Sequence, residues 1–350
     1  MKLFNILFTL FGVVTVIFFL FQILPGDPAR MMMDQNEDVE QLEIIKKKYG
    51  FDEPILKQYL YYLNDLSIIS IHSKNPEKIN FIRENKYLFT KIYDFQNSTL
   101  VLKFPYLRES YQRRGVKVST IIMDTFPNTV VLAISSILFA TVFGLLLGIL
   151  SALYKETLFD NSIQLFSTFG MSMPSFLSSI IFAWIFGFVL ADITGLNMTG
   201  SLFELDDFGD EYRLELKNLI LPSFVLGIRP IAVISMMMRN SLIETLKKNY
   251  VITAYAKGLS KSKVILNHCL KNSLNPVITA LSGWFASLLA GSVFVEYIFG
   301  WNGLGREIVN SLNLLDVPVI IGAVIVVSFS FIMINIFVDY IYKFLDPRIS

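Results

Sequence analysis

This 350-residue sequence has two histidines, His72 and His268, and one cysteine, Cys269, from which to build a histidine-dependent triad or a zinc-type site. A catalytic triad needs a nucleophile, a base and an orienting group within hydrogen-bond reach, and a structural zinc needs four N or S ligands. One cysteine and two scattered histidines supply neither, so no catalytic residue and no metal site is expected. The phosphate-cradling pattern G-x-x-x-x-G-K-[ST] is absent as well. Energy for any active process must therefore come from a partner or an ion gradient.

A few polar residues sit where apolar ones are expected. Arg229, beside Pro230, lies near the middle of an apolar run. A charge at the centre of a bilayer costs at least ~2.5–3.5 kcal/mol on insertion scales. Either Arg229 meets a water-filled cavity or an internal partner, or the helix breaks at Pro230 and the side chain reaches an interface. Ser172, Pro174 and Ser175 form a second group, in Gly170-Met171-Ser172-Met173-Pro174-Ser175. Proline inside a helix removes a hydrogen bond and kinks it, and nearby serines can re-satisfy the freed carbonyls. Such a kink either lines a translocation path or serves packing. The carboxylates Glu296 and Asp339 lie only at the ends of apolar runs, which argues against a proton-coupled carrier.

The elements that hold these residues are set by composition. The chain is 53% hydrophobic and 17% charged, with mean hydropathy +0.55. Disorder is excluded, since it needs low hydrophobicity and high net charge. A lone cysteine excludes a disulfide scaffold. Thirty Lys and Arg against 29 Asp and Glu leave no basic field for nucleic acid. An all-α integral membrane protein remains. Six runs have the ~20 apolar residues that cross a bilayer: Phe4–Leu24, Thr129–Leu153, Ile163–Leu190, Leu219–Met238, Val277–Val295 and Val319–Phe344. The first is too long for a signal-peptide core and has no A-x-A site, so it reads as a retained helix.

Short loops orient the spans. Residues 239–275 carry seven basic side chains against one acidic, and residues 192–218 carry seven acidic against two basic. The first loop is therefore cytoplasmic, the second external, and both termini cytoplasmic. Gly300–Gly305 then lies outside and reads as a turn. The chain divides into a first helix (1–24), an extracytoplasmic loop (25–128) and a five-helix region (129–350). In the loop, Asp34–Tyr49 and Asp52–Leu66 read as helices, and Ser67–Leu102 as irregular. Small residues recur at four-residue spacing in Ala140, Gly144, Gly148 and Ala152, and in Gly283, Ser287 and Gly291. Each stripe serves tight packing within the chain or a seam against a partner.

Residues 239–275 carry the most information. Val251, Tyr255 and Leu259 repeat at four, as on one face of a helix. Gly258 supplies a C-terminal stop, Ser260 a cap for a second helix, and Pro276 opens the fifth span. A lysine-rich surface helix can bind lipid. The sharp Gly-Leu-Ser break with Ala254 and Ala256 beside it favours a docking knob for another protein.

Tyr250-Val251-Ile252-Thr253-Ala254-Tyr255-Ala256-Lys257-Gly258-Leu259-Ser260, followed by Asn272-Ser273-Leu274-Asn275-Pro276, resembles the EAA loop of binding-protein-dependent ABC importer permeases. The likeness is to the first permease subunit of the dipeptide/oligopeptide branch. Leu24-Pro25-Gly26-Asp27-Pro28, Thr125-Phe126-Pro127-Asn128-Thr129, Val295-Glu296-Tyr297-Ile298-Phe299 with Gly303-Leu304-Gly305, and Asn335, Asp339 with Leu345-Asp346-Pro347-Arg348-Ile349 also resemble that branch, in order.

The resemblance implies a type I ABC importer permease fold of six transmembrane helices in the bacterial cytoplasmic (inner) membrane, surrounded by the lipid bilayer. It implies a second permease subunit, two ATPase subunits and an extracytoplasmic substrate-binding protein as partners. The chain would bind no cofactor, ATP and magnesium being held by the ATPases. Thr253, Ala254, Ala256, Lys257, Gly258 and Leu259 would form the ATPase-coupling loop, and Ser172, Pro174, Ser175 and Arg229 are placed on the translocation path. Peptides are the implied cargo, with nickel chelates or glutathione as alternatives and a stand-alone carrier as the competing reading. Ser67–Leu102 stands where the family has a shorter segment and reads as an insertion.

Overall fold

The computed structural model describes residues 2–23, 27–33, 39–76, 78–82, 87–206 and 209–345. The chain forms two compact units, residues 1–124 with 308–328, and residues 125–307 with 329–350.

The first unit starts with α1 (Lys2–Ile23), apolar along its length. Asp27 then accepts a hydrogen bond from Ala29 N at 3.0 Å and caps a short turn opened by Pro28. Leu24, Pro25 and Gly26 lie outside the described residues. The two predicted loop helices are α2 (Val39–Tyr49), its expected beginning at Asp34 also outside, and α3 (Ile55–Leu66) with Pro54 at the N-cap. α3 packs on α1 through Tyr59 and Tyr62 against Val14 and Phe18.

The described residues of Ser67–Leu102 include three strands where an irregular segment is expected, and the chain is not purely helical. β1 (Ile69–Ser73), β2 (Phe89–Asp94) and β3 (Ser98–Lys103) form an antiparallel sheet in the order β1-β3-β2. The register pairs Ile69 with Leu102 and Ile71 with Leu100. Ile-Ser-Ile-His alternates with the two-residue period of a strand, and Thr-Leu-Val-Leu is a short β-branched and apolar run whose burial alternates. The surrounding Asn and Lys conceal that period in a composition-based reading. Behind the sheet, Asp65 accepts from Tyr87 Oη at 2.9 Å and Arg108 Nε at 2.9 Å. At the start of the last helix, Asp316 accepts from Tyr111 N at 2.9 Å and from Ser110 Oγ, fastening this unit's closing segment.

Further along lie α4 (Val118–Leu153), α5 (Leu158–Ser172) and α6 (Ser175–Trp184, continuing as one π turn to Val189). A short hairpin follows, β4 (Phe203–Leu205) with β5 (Tyr212–Leu214). Then come α7 (Ile220–Leu246), α8 (Asn249–Ala256), α9 (Lys261–Ser273) and α10 (Asn275–Gly291). The chain closes with α11 (Val293–Phe299), α12 (Leu304–Asn313) and α13 (Val317–Leu345).

Among the described residues, four helices are long and apolar enough to cross a membrane, and six segments are if each of two bent pairs counts as one. The pairs are α5 with α6, bent by 111°, and α9 with α10, bent by 49°. The third predicted span is therefore two helices meeting at a break. Met173 and Pro174 are both extended there, because Pro174 has no N–H to continue the ladder. α4 starts well before Thr129 and carries Pro127 inside it, so Thr125–Asn128 is already helical. α7 runs unbroken through Pro230.

The stripe Ala140, Gly144, Gly148 and Ala152 on α4 packs on α7 of the same unit. A Cβ built on Gly148 would stand 2.6 Å from Ser235 O and 2.7 Å from Met238 Cβ. Backbone cannot yield as a side chain tip can. Gly148→Val is accordingly expected to lower stability by about 1–3 kcal/mol, read as the fall in thermal unfolding temperature in detergent. An unchanged temperature would show that the two helices are not in close contact. The second stripe differs: Cβ atoms built on Gly283 and Gly291 of α10 meet nothing within 4 Å.

Candidate functional site

α8 is a two-turn helix with one face fastened to the chain's own core. Val251 is fully buried and Ala254 nearly so, packed with Met238, Leu242, Val264 and Cys269. Ile252, Thr253, Tyr255, Ala256 and Lys257 point outward. The end of α8 follows from hydrogen bonding. Gly258 adopts φ +79°, a left-handed conformation that disfavours every residue with a Cβ. Its N–H donates to Tyr255 O at 2.9 Å, and Leu259 N donates to Ala254 O at 3.4 Å. These paired bonds make a Schellman motif, and Leu259 packs in the same core as Ala254, a contact that commonly accompanies the motif. Open space surrounds Gly258, so glycine is needed there for its backbone angle. Ser260 occupies the N-cap position of α9, with extended backbone but no side-chain cap bond. α9 contains one π turn at Ile265–Cys269, and Asn272 Nδ2 donates to Tyr250 Oη at 2.9 Å, tying α9 back to α8.

The second predicted group meets around the break between α5 and α6. The carbonyl of Met173 ends α5 without a helical N–H to accept. Arg229 on α7 donates to it twice, from Nε at 3.3 Å and Nη2 at 3.0 Å. The helix does not break at Pro230; Arg229 has an internal partner. Ser172 and Ser179 donate to the carbonyls of Thr168 and Ser175, both at 2.9 Å. Arg229, Ser175, Ser178 and Gly170 line a small cavity of about 60 Å³ together with Ser287 and Gly291 of α10. Ser172 and Pro174 lie outside its lining, exposed on the surface.

Residues 144–350 match the family described as binding-protein-dependent transport system inner membrane component, and residues 1–77 match its N-terminal family. The chain belongs to this family. It is 32% identical over 357 residues to the di/tripeptide transport system permease protein DppB of Pseudomonas aeruginosa, covering 97% of this chain and 95% of that one. It is 30% identical over 348 residues to the glutathione transport system permease protein GsiC of Escherichia coli, covering 99% and 97%. The fold is shared with a solved structure of the MetNI methionine ABC transporter, at TM-score 0.52 and 14% identity over 65% of this chain and 97% of that one. This permease is therefore a multi-pass inner-membrane subunit of an ABC transporter and not itself an enzyme.

Two arrangements in the permease escape a reading of the sequence alone. The first is Asp160, fully buried at the start of α5. Arg239, near the C-terminal end of α7, grips it with Nε at 2.7 Å and Nη2 at 2.6 Å. Asp160 also accepts from Glu156 N at 2.9 Å, Gln164 Nε2 at 3.1 Å and Ser151 Oγ. The turn between α4 and α5 is thus locked to α7 ten residues before α8 begins. One local signal was present: Thr157 caps α5 by accepting from Asp160 N at 3.3 Å, the T-x-x-D spacing of a capping box.

The second joins two motif segments far apart in sequence. Glu296 on α11 is fully buried, and its carboxylate accepts from Gly305 N at 2.7 Å, Arg306 N at 3.2 Å and Ser292 Oγ at 2.8 Å. Burial outweighs these donors and raises its pKa above the ordinary glutamate value. Thr129 accepts from Leu304 N at 2.8 Å, and Trp301 Nε1 donates to Asn128 O at 3.0 Å. A Cβ on Gly305 would come within 2.6 Å of Val293 Cα. Glu296, Gly303 and Gly305 therefore serve a fixed turn against Asn128 and Thr129. Among the described residues, no three of His, Cys, Asp and Glu gather to hold a metal ion. The C-terminal segment from Asp346 lies outside the described residues, as does the side chain of Asp339.

Proposed function

We propose that this chain is one of two permease subunits of an ATP-driven importer that carries di- and oligopeptides delivered by an extracytoplasmic binding protein. The observation that carries this reading is α8. It is a short helix anchored by Val251, Ala254 and Leu259, with Ile252, Thr253, Tyr255 and Ala256 left outward on the most basic, hence cytoplasmic, loop. In this reading residues 249–259 sit in a cleft of a partner ATPase, and Lys257 and Gly258 mark the end of the docking helix. ATP and magnesium bind the two ATPases, and their closure rocks the permease pair between inward- and outward-facing states.

Counting each bent pair as one span gives six, with both termini cytoplasmic and residues 25–128 outside. The open Gly283–Ser287–Gly291 stripe of α10 supports close approach of the sister permease there. The cavity at Arg229 and Ser175 lies beside that stripe and forms part of the path. Ser172 and Pro174 define the break that Arg229 holds. Peptide cargo follows the likeness to DppB, and the likeness to GsiC favours glutathione, itself a small peptide, as the second reading.

The test is co-purification. The tagged chain, solubilised from membranes, is expected to bring down a second six-span permease and two ATPases, and the reconstituted complex to take up peptides only with ATP and the binding protein. A chain that purifies alone and transports unaided would refute the proposal.

A further inference from the structure

Strands β1 and β3 of the first unit have their polarity inverted, while β2 at the edge is exposed or half-buried along its length. The face turned into the unit carries Ser70, His72, Thr99 and Lys103 with Val101, all buried. The opposite face carries Ile69, Ile71 and Leu102, 60%, 51% and 46% exposed. A sheet with one face in water shows the reverse pattern. α3 continues the anomaly. Tyr59 and Tyr62 turn towards α1, while Leu56 and Leu60, one helical turn apart, are 64% and 54% exposed. The next residue of that stripe, Asn64, donates to Ile71 O at 3.0 Å and accepts from Ile71 N at 3.0 Å. One side chain therefore joins the apolar stripe of α3 to the apolar face of the sheet. Exposed apolar patches of this kind mark an interface.

The position of α3 along α1 indicates the occupant. Tyr59 Oη hydrogen-bonds Thr15 Oγ1 at 2.6 Å, its ring lies 5.3 Å from Phe18, and Gln58 meets Gln22. The membrane-length apolar stretch of α1 is Ile6–Ile23. Thr15 stands eight residues inside its end, about 12 Å at helical rise, within the ~15 Å half-thickness of a hydrocarbon core. A helix held beside α1 at that depth presents its far side to whatever surrounds α1.

We infer that Leu56 and Leu60 of α3, with Ile69, Ile71 and Leu102 of the sheet, form a lipid-facing surface seated in the outer leaflet of the bilayer. The inference rests on the reading above that α1 crosses the membrane with residues 25–128 outside. Buried Ser70, His72, Thr99 and Lys103 are then the groups shielded from lipid, and amphipathic interfacial elements are built this way.

Nitroxide labels on Leu56→Cys, Leu60→Cys, Ile71→Cys and Leu102→Cys would test it, each in a Cys269→Ser background. The full chain is placed in vesicles of phosphatidylethanolamine and phosphatidylglycerol. Collision rates with oxygen, which concentrates in lipid, are compared with those of chromium oxalate, which stays in water. Val16→Cys on α1 and Asp52→Cys serve as the lipid and water references. Oxygen is expected to dominate several-fold at Leu60, Ile71 and at least one further site. Chromium oxalate dominating at those sites while Val16 reads as lipid would overturn the inference and leave the permease reading standing. Low collision rates with both reagents would mean that protein covers the surface, which also overturns it. A water reading at Val16 would refute the membrane placement of α1 and the inference with it.

Discussion

Asp160→Ala is expected to destabilise the protein by about 3–5 kcal/mol, the usual consequence of stranding one partner of a buried ion pair. Asp160 is fully buried and Arg239 largely so. Removing the carboxylate leaves the Arg239 guanidinium without its anion and strips the acceptor from Ser151 Oγ, Gln164 Nε2 and Glu156 N. The loss is structural and also directional, since Arg239 stands shortly before α8. A shift of α7 at that point moves the whole loop of residues 247–260. Thermal unfolding of the purified chain in detergent measures the first effect, and the amount of ATPase that co-purifies measures the second. Asp160→Asn keeps the shape and most hydrogen bonds and should lose less. An unfolding temperature unchanged in Asp160→Ala would show that the ion pair is not formed in the protein.

Tyr255→Asp and Ile252→Asp are expected to leave folding intact and to remove the ATPases from the purified complex. Both side chains are outward, 41% and 57% exposed, so neither change disturbs the core beneath α8. At an interface, truncating a central aromatic or apolar anchor costs 2 kcal/mol or more. That is a factor of about 30 in dissociation constant, and a buried unpaired carboxylate adds to it. The contrast with Ala254→Asp is informative. Ala254 faces Met238 and Leu242, so that variant fails through the chain's own packing before docking is at issue. Gly258→Pro sits between the two cases, because proline fixes φ near −65° where the turn needs +79°. ATPase retained at wild-type levels in both Tyr255→Asp and Ile252→Asp would place the docking surface elsewhere.

Several elements were legible from local pattern. The apolar runs at α1, α4, α7 and α13 are long enough that hydropathy alone locates them, and the helix–glycine–helix of residues 249–273 follows from spacing and one left-handed glycine. The inward turn of Ala254 was harder to foresee, because alanine suits either a core or a close approach by a partner. The sheet at residues 69–103 is hard to read from the sequence because its strands are five or six residues long and set among Asn and Lys, and the apolar outward face of β1 and β3 could not have been assigned from alternation alone.

By itself, then, the amino-acid sequence determined the class of protein, the approximate spans, the break after α8 and the family. All of these rest on composition, on runs of about 20 apolar residues or on short motif segments, none of which depends on which parts of the chain meet in space. Only the tertiary structure decided what Arg229 does, that Asp160 matters, and that Glu296 organises Gly305 against the segment at Asn128 and Thr129. The pairs Arg229–Met173 and Arg239–Asp160 lie 56 and 79 residues apart. A buried charge announces in the sequence that it needs a partner. Which partner it finds is settled by how the helices pack, and a bend of 111° at Met173 and Pro174 is what brings the freed carbonyl to the arginine.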